Sequence, residues 1–381
     1  MEIYFDNSAT TAPYGEVSAA VFDTMSNNYG NPSSLHKLGI EAERAVKTAK
    51  ERVASALKAS PAEILFTSGG TESDNIAIMG AAAASRGKHI ITTPLEHPAV
   101  MNTLSEMENR GYKIDYAPVD SKGRVILEEY RRLIRPDTFL VTAMIVNNEI
   151  GTVEPVAEMC KILKRANPRA LFHTDAVQGF GKIPVTADGT GADMISLSSH
   201  KIHGPKGMGA LYIRRGTGIK PIMFGGGQQG GMRSGTENVP GIVGFGLAAK
   251  MATTDLSSKA ERMTVLRKRL EKGIVNALDN VRVNTPENAA PHILNISFGG
   301  VKSEVLLHSL EMQNIFVSSG SACSSHKKEP SYVLTEIGVP RKMIDGSIRF
   351  SLSEFSTEEQ VDAVIDAVSK IVPRLRRLGM R

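Results

Sequence analysis

Short apolar segments alternate with longer segments of helical periodicity along most of this chain, and no other feature constrains its fold as strongly. This alternation is typical of a mainly parallel β-sheet covered by helices. The apolar segments lack a clean polar–apolar alternation, as expected of strands that are buried on both faces. Six segments therefore predict strands of one large sheet: Ile64–Phe66, His89–Ile91, Phe139–Val146, Ala170–His173, Met194–Leu197 and Ala210–Ile213.

The length of 381 residues predicts a second domain, because a single hydrophobic core rarely keeps growing at this size. An amphipathic helix predicted from about Leu256 to Leu278 leads into that domain. The closing helix is predicted to begin at a capping box formed by Ser356 and Glu359. Further strands are predicted at Ile293–Phe298, Ile315–Val317 and Ser347–Leu352.

Composition excludes several classes of protein. The hydrophobic fraction of 41% and the charged fraction of 22% are those of an ordinary soluble globular protein. No apolar run approaches the roughly 18 to 20 residues of a membrane span, and the first residues lack the features of a secretory signal, so we expect a cytoplasmic protein. Two cysteines are too few for a disulfide framework. The net charge of +5 is spread along the chain, and no motif indicates nucleic-acid binding.

Polar residues follow several predicted strands, at the edge where open parallel sheets bind their ligands. Gly69 and Gly70 follow the first strand, and Thr71 then begins a helix whose unpaired amide groups form an anion cradle. A helix end stabilises an anion by about 2 kcal/mol at most, so a doubly charged phosphate needs further donors. Ser198 and His200, after a later strand, offer hydroxyl and imidazole donors.

Lys201 directly follows these donors, and its amine is able to form an imine with an aldehyde cofactor. Lys206 competes with it for this role. Asp175 ends another strand, where a carboxylate keeps a bound pyridine nitrogen protonated and the cofactor electron-withdrawing. His97 offers a ring that stacks on a cofactor and moves protons near neutral pH, and Asn148 adds an amide after a further strand.

Each of these residues also has a structural interpretation when taken alone. The two glycines suit a plain turn, Asp175 suits a helix cap, and His97 before a proline suits a loop. His200 and His203 are three residues apart but have no third or fourth ligand nearby, so no metal site is predicted. The functional interpretation depends on the joint appearance of these residues at successive strand ends.

The same residues lie in blocks that closely resemble the NifS/IscS cysteine desulfurases, a branch of the class V aminotransferase fold of pyridoxal-phosphate enzymes. The resemblance runs nearly from end to end, and the order of the blocks makes it specific. The blocks are residues 4–11, 30–36, 66–75, 96–97, 146–151, 173–178, 198–206, 232–236, 318–325 and 348–352.

The resemblance implies the type I fold of pyridoxal-phosphate transferases. In this fold a large domain, residues 15–255, contains a mainly parallel seven-stranded sheet covered by helices. A smaller α+β domain, residues 1–14 and 256–381, carries the catalytic cysteine loop. The implied cofactor is pyridoxal 5'-phosphate, and the implied assembly is a homodimer.

The resemblance also assigns roles to individual residues, with Lys201 preferred over Lys206 as the lysine that binds the cofactor. Arg349 matches the arginine that binds the substrate carboxylate, for which its planar fork is well suited, and Asn7 assists nearby. The implied cofactor contacts are Gly70, Thr71, Ser198 and His200 with the phosphate, Asp175 with the ring nitrogen, Gln178 with the phenolic oxygen, Asn148 with the ring region, His97 stacked on the ring, and Thr236 with the phosphate of the neighbouring subunit.

Cys323 lies among small residues in Ser318–Ser325, a run that suits delivery of a thiolate to a bound substrate, and it matches the catalytic cysteine of the family. The block resembles the group of desulfurases with a longer loop, which hand sulfur to protein partners. Cys160 lies in an apolar helical stripe and is interpreted as a packing residue.

The activity implied by the resemblance is conversion of L-cysteine to L-alanine, with a persulfide formed on Cys323. The sulfur would pass to acceptor proteins, such as an iron–sulfur scaffold, for cluster assembly, thio-cofactor synthesis or tRNA thiolation. A selenocysteine lyase and an aminotransferase remain alternatives, because cofactor residues alone do not choose between reactions on this fold. A non-catalytic scaffold is a further alternative, against which the presence of Lys201 argues.

Overall fold

A seven-stranded β-sheet forms the centre of the computed structural model, which describes residues 2–319 and 330–379. Strand β1 (Ile3–Tyr4) lies outside this sheet. The sheet consists of β2 (Ile64–Thr67), β3 (His89–Thr92), β4 (Lys113–Tyr116), β5 (Thr138–Thr142), β6 (Leu171–Asp175), β7 (Met194–Ser198) and β8 (Gly209–Ile213).

The strand order is β2-β8-β7-β6-β5-β3-β4, and only β8 runs antiparallel to its two neighbours. The mainly parallel seven-stranded sheet is therefore confirmed, and the six strands predicted from apolar runs all belong to it. Strand β4 was not predicted, because it lies at the sheet edge and reads as alternating polar and apolar residues. The predicted strand at 139–146 is shorter than expected and ends at Thr142.

Helices cover both faces of the large sheet, which explains why its strands are apolar throughout. Neighbouring residues along a strand pack into different cores: Ile195 contributes to one core and Met194 to the other. The helices up to the second domain are α1 (Gly15–Asn27), α2 (Lys37–Leu57), α3 (Gly70–Ala84), α4 (Pro98–Asn109), α5 (Leu127–Leu133), α6 (Val156–Ala166), α7 (Ala187–Thr190) and α8 (Val239–Thr253).

A second, antiparallel sheet has the order β12-β13-β10-β9. Its strands are β9 (Val281–Val283), β10 (Ile293–Phe298), β12 (Ser318–Ser319) and β13 (Ser347–Ser351). Strand β1 pairs in parallel with β11 (Ile315–Phe316), so the first residues of the chain join this second region. Its core is separate and contains Ile3 and Phe5 together with residues from positions 266–375. The exact division at residues 14/15 and 255/256 stays a prediction.

The helices of the second region are α9 (Leu256–Ala277), α10 (Ser303–Glu311), α11 (Tyr332–Glu336), α12 (Arg341–Ile344) and α13 (Glu358–Arg377). The predicted capping box of α13 is wrong by one residue. The N-cap is Thr357, whose hydroxyl accepts from the amide of Gln360 at 3.3 Å, while the Gln360 side chain accepts from the Thr357 amide at 3.1 Å. The Ser356 hydroxyl instead accepts from the Ser353 amide in the preceding turn.

Two kinds of feature are absent from residues 2–319 and 330–379. No helix in this part of the chain is long and apolar enough to cross a membrane. No group of three or more histidine, cysteine or acidic side chains there is arranged to hold a metal ion.

Candidate active site

A cavity of about 460 Å³ opens where strands β6 and β7 end, at the edge of the large sheet where parallel sheets bind ligands. Residues of the second region close its other side. Ten residues predicted from the sequence line this cavity together: Gly70, Thr71, His97, Asn148, Asp175, Gln178, Ser198, His200, Lys201 and Arg349.

The N-terminus of α3 provides the anion-binding end of the cavity. The N-cap is Gly69, which has no side chain to bond the first amide groups of the helix. A Cβ atom on Gly70 would lie 2.7 Å from a methyl carbon of Val177, so any other residue here would require the Val177 side chain to shift. Ser198 and His200 line the same cavity from the end of β7, as the sequence predicted.

Lys201 lines the cavity, and its amine is held by two backbone carbonyls. Nζ donates to the oxygen of Ser8 at 2.6 Å and to that of Ala9 at 2.8 Å. Lys206 is exposed and does not line the cavity, so the geometry supports the preference for Lys201. The contribution of Ser8 and Ala9 was not predicted, because backbone carbonyls carry no sequence signal.

Two carboxyl groups are buried side by side beneath the cavity. Asp175 Oδ1 accepts from the amide of Val177 at 2.8 Å, and burial raises the pKa of Asp175 to about 6, opposed by the positive charge of Lys201. Asp74, on the second turn of α3, was not predicted. Burial, together with the charge of Asp175, raises the pKa of Asp74 well above its ordinary value. Asp175 is therefore the easier of the two to ionise.

His97 is the N-cap of α4, and its Nδ1 accepts from the amide of Ala99 at 3.1 Å. Burial and the nearby charge of Lys201 lower the pKa of His97 to about 4. The ring is therefore neutral at pH 7, and because Nδ1 is an acceptor, its proton is on Nε2.

Arg349 lies in β13 and is 2% exposed. One terminal nitrogen, Nη1, donates to the carbonyl of Asn148 at 2.9 Å, and the other, Nη2, donates to Asp6 Oδ1 at 2.8 Å. Nε is buried and has no hydrogen-bond partner among the described residues. A buried guanidinium with an unused donor on a cavity wall is suited to an incoming carboxylate.

Four buried polar atoms of residues that line this cavity have no hydrogen-bond partner within residues 2–319 and 330–379, and such atoms normally indicate a missing ligand or water. They are Ser8 Oγ, Asp74 Oδ1, Asn148 Oδ1 and Arg349 Nε. Pyridoxal phosphate fits this donor set, because the α3 N-terminus suits its phosphate, Asp175 suits its ring nitrogen, and Lys201 suits its aldehyde.

Two predicted residues in the described part of the chain, Asn7 and Thr236, do not line the cavity, and a third lies outside that part. Asn7 is buried, and its amide nitrogen donates to the backbone oxygens of Tyr4 and Ser351, so its described contacts fix the chain rather than reach the cavity. Thr236 is exposed. Cys323 lies outside the described residues, although Ser318, five positions earlier, pairs directly with Arg349.

The interpretation of Cys160 as a packing residue is confirmed. Its side chain is buried in the core below the large sheet, and Sγ donates to the carbonyl of Gly191 at 3.2 Å. Burial raises the pKa of this thiol to about 11, so it does not form a thiolate at neutral pH.

The other residues on the cavity wall were not assigned a role from the sequence, and they include Glu149, Pro330, Ser331 and Tyr332. The last three immediately follow the undescribed residues 320–329, and no local motif marks them. Their position on the wall became apparent only from the tertiary structure.

Comparison with known proteins shows the family to which the chain belongs. Residues 3–364 match the family model described as aminotransferase class-V. The cysteine desulfurase IscS of Dictyoglomus turgidum is 44% identical over 381 residues, covering 99% of this chain and 96% of that protein.

Two solved structures are similar along nearly their whole length. A NifS-like protein superposes with a TM-score of 0.93 at 42% identity, covering 98% of this chain and all of the other. A structure described as SspA in complex with cysteine superposes with a TM-score of 0.81 at 34% identity, covering 94% of this chain and all of the other. The chain therefore belongs to the class-V aminotransferase family of pyridoxal-phosphate enzymes, among the NifS/IscS-type cysteine desulfurases.

Proposed function

We propose that this chain removes the sulfur atom of L-cysteine, stores it as a persulfide on Cys323 and releases L-alanine. The observation that carries the proposal is the buried, partly unpaired guanidinium of Arg349 in the same cavity as Lys201. A carboxylate site beside a reactive amine selects an amino acid as substrate. The SspA structure in complex with cysteine supports L-cysteine as that amino acid.

The cofactor would be held by the residues of the large sheet. Its phosphate would lie at the N-terminus of α3 near Thr71 and Ser198, and Lys201 would bind it covalently. Asp175 would pair with its ring nitrogen and Gln178 with its phenolic oxygen. When bound, pyridoxal phosphate withdraws electrons from the α-carbon of an amino acid, which makes the bonds next to that carbon reactive.

Proton movement is assigned to two side chains. The Lys201 amine, already oriented by the carbonyls of Ser8 and Ala9, would accept the proton from the substrate α-carbon. Neutral His97, with its proton on Nε2, lines the same cavity and would act as the proton donor. Because the pKa of His97 is low, the ring returns readily to its neutral form after each proton transfer.

Sulfur transfer is assigned to Cys323. Its thiolate attacks the substrate sulfur, so that one S–S bond forms and the Cβ–S bond of the substrate breaks. The electron pair of the broken bond stays on the carbon, which takes up protons and leaves as alanine. Atoms and electrons balance without an external oxidant, because one carbon–sulfur bond is exchanged for one sulfur–sulfur bond and one carbon–hydrogen bond.

The proposal includes a homodimer in which Thr236 contacts the cofactor phosphate of the partner subunit. Support comes from large apolar side chains that are exposed on the single chain, among them Phe22, Tyr29, Leu35 and Phe224. Leu35 is 95% exposed and Phe224 is 81% exposed, and apolar surface of this kind commonly marks an interface. Phe224 also lies close in sequence to Thr236.

The acceptors of the sulfur are proposed to be proteins, including scaffolds for iron–sulfur clusters. The name IscS carried by the Dictyoglomus turgidum relative and the resemblance of residues 318–325 to the longer-loop group support this choice.

The test is incubation of the pure holoenzyme with L-cysteine, followed by assay of alanine and mass measurement of the Cys323 peptide. We expect alanine and one additional sulfur atom on that peptide. Cys323→Ala should lose both the added sulfur and most of the alanine, whereas Cys160→Ala serves as a matched control and should retain them. Added sulfur on Cys160 instead, or parent-rate alanine release by Cys323→Ala, would refute the assignment.

A further inference from the structure

The chain that follows the undescribed residues 320–329 is bonded directly to the cavity wall. Ser331 is 6% exposed, and its hydroxyl donates to Glu149 Oε2 at 2.5 Å. The same hydroxyl accepts from the Leu334 amide at 3.1 Å, because Ser331 is the N-cap of α11. Both hydrogen-bonding functions of the Ser331 hydroxyl are thus used, one inside its own helix and one on the large domain.

A second contact joins the next residue to the same wall. The hydroxyl of Tyr332 donates to the backbone oxygen of Glu96, the residue immediately before His97. Ser331 and Tyr332 therefore contact the two segments that carry His97 and Asn148, which are both predicted cofactor contacts.

An apolar cluster lies directly beside these two hydrogen bonds. Leu95 and Ile150, the neighbours of Glu96 and Glu149, are at most 1% exposed and belong to one core cluster with residues of α11 and the following turn. Those residues are Val333, Leu334, Ile337, Val339 and Ile344. Polar and apolar contacts thus alternate along this junction, which indicates a single defined arrangement.

Glu149 and Glu96, the residues that accept these two hydrogen bonds, are themselves held by further hydrogen bonds. The Glu149 amide donates to Asn147 Oδ1 at 2.9 Å, and its carbonyl accepts from Asn295 Nδ2 at 3.2 Å. The Glu96 carboxylate accepts from the Thr93 hydroxyl at 2.6 Å and from the Met144 amide at 2.9 Å. Ser331 is therefore attached to a rigid part of the cavity.

We propose that Glu149, Ser331 and Tyr332 are positioning residues for sulfur transfer, which fix the C-terminal end of the Cys323-bearing segment at the rim of the cavity. This role rests on the proposed function of Cys323. The physical reason is that the rate of an intramolecular attack depends on where the ends of the connecting chain are held. None of the three residues is among the predicted cofactor contacts, so we expect their loss to slow sulfur capture and leave cofactor binding intact.

The experiment compares two rates in the holoenzyme at saturating L-cysteine. The first is the change in cofactor absorbance when cysteine binds, and the second is persulfide formation on Cys323, measured by rapid quenching and mass analysis. We expect Ser331→Ala to slow only the second rate, by roughly three- to tenfold, the range corresponding to one net hydrogen bond. Tyr332→Phe should slow the same rate by a similar or smaller factor.

Matched variants separate this positioning role from a general loss of structure. Thr335→Val removes a hydroxyl from the same helix that donates to the Ser331 carbonyl, and it should match the parent. Glu149→Gln retains an oxygen that accepts from Ser331 and should also stay close to the parent, whereas Glu149→Ala should resemble Ser331→Ala. The double variant Glu149→Ala/Ser331→Ala should be no slower than Ser331→Ala, because Ser331→Ala already removes the hydrogen bond to Glu149 together with the helix cap.

The possible outcomes are distinguishable. Parent-rate loading of Cys323 in both Ser331→Ala and Glu149→Ala would overturn the positioning role and leave the proposed function standing. An equal slowing of both rates, or an equal effect of Thr335→Val, would overturn it as well. Absence of persulfide on Cys323 in the parent protein would refute the proposed function and this inference together.

Discussion

The two walls of the active-site cavity differ in how they are built. The large-sheet wall consists of residues that end or directly follow strands of the large sheet, or that lie at the start of the helices after those strands. They are Gly70, Thr71, His97, Asp175, Ser198, His200 and Lys201. The small-sheet wall is assembled from distant parts of the chain: Ser8, Pro330, Ser331, Tyr332 and Arg349. Arg349, for example, is bonded to Asp6, which lies 343 positions away in the sequence.

The walls also differ in their electrostatics. The large-sheet wall contains buried carboxyl groups whose pKa values are raised and histidines whose pKa values are lowered. The small-sheet wall presents the guanidinium of Arg349, held by Asp6 and by the Asn148 carbonyl. Under the proposed function, cofactor binding depends on the large-sheet wall and substrate recognition on the small-sheet wall, so that substitutions should affect them separately.

The largest effect is expected from Lys201→Ala on the large-sheet wall. Loss of the only lysine that lines the described cavity removes both the covalent attachment of the cofactor and the base at the substrate α-carbon. We expect alanine formation to fall by at least about a thousandfold. The visible absorbance of the bound cofactor should change at the same time. Lys206→Ala is the matched control, and a similar loss in that variant would contradict the assignment.

The two buried aspartates sharpen the comparison within the large-sheet wall. Asp175→Asn removes the carboxylate expected at the ring nitrogen, and we expect kcat to fall by roughly a hundredfold or more. Asp74→Asn should change kcat by less than about threefold, because burial raises the Asp74 pKa and the amide resembles the neutral acid. Steady-state kinetics at pH 7.5 or so would check both. Equal effects of the two substitutions would show that Asp74 is ionised in the enzyme.

Arg349→Lys tests the small-sheet wall. A lysine keeps the positive charge but loses the planar fork, so we expect KM for L-cysteine to rise roughly tenfold to a hundredfold. The affinity for the cofactor should remain unchanged. Arg267→Lys is a suitable control, because Arg267 is equally buried but does not line the cavity. A weaker cofactor affinity in Arg349→Lys, without a change in KM for L-cysteine, would contradict the division of substrate recognition and cofactor binding between the two walls.

The smallest expected effect is on stability and concerns Glu96, which supports His97. Burial raises the pKa of Glu96 to about 8, so between about pH 4.5 and 8 the folded protein holds a proton that the unfolded chain has released. The free energy of unfolding should therefore decrease as pH rises through this window. Glu96→Gln should show a flatter dependence of the melting temperature on pH, and Glu106→Gln, at an exposed position, should follow the parent. Identical pH profiles for parent and Glu96→Gln would contradict this expectation.

The sequence predicted the large-sheet wall more completely than the small-sheet wall, for a physical reason. Asp175, Ser198 and Lys201 each lie at or just after the end of a buried apolar strand, and parallel strands bring such ends together. The alternation of strands and helices was therefore sufficient to place these residues in one cavity. Strand β4 was missed because an exposed edge strand lacks the continuous apolar run on which the prediction relied.

The small-sheet wall was predictable only in part. Arg349 was found through the family resemblance, but its bond to Asp6 depends on the parallel bridge between Asp6 and Ser351, which no local pattern encodes. Ser331 and Tyr332 resemble an ordinary helix start in the sequence. Their contact residues, Glu149 and Glu96, lie 182 and 236 positions earlier in the chain. Asp74 was missed because an aspartate near a helix N-terminus is ordinarily an exposed residue that favours the helix dipole.

A crystal structure of the Cys323→Ala holoenzyme with L-cysteine bound would test the division between the two walls most directly. The account predicts that the substrate carboxylate lies within hydrogen-bond distance of the Arg349 guanidinium, including the Nε that has no partner here. The cofactor phosphate should lie at the N-terminus of α3. A substrate carboxylate bound at the α3 N-terminus, or bound without contact to Arg349, would contradict the account.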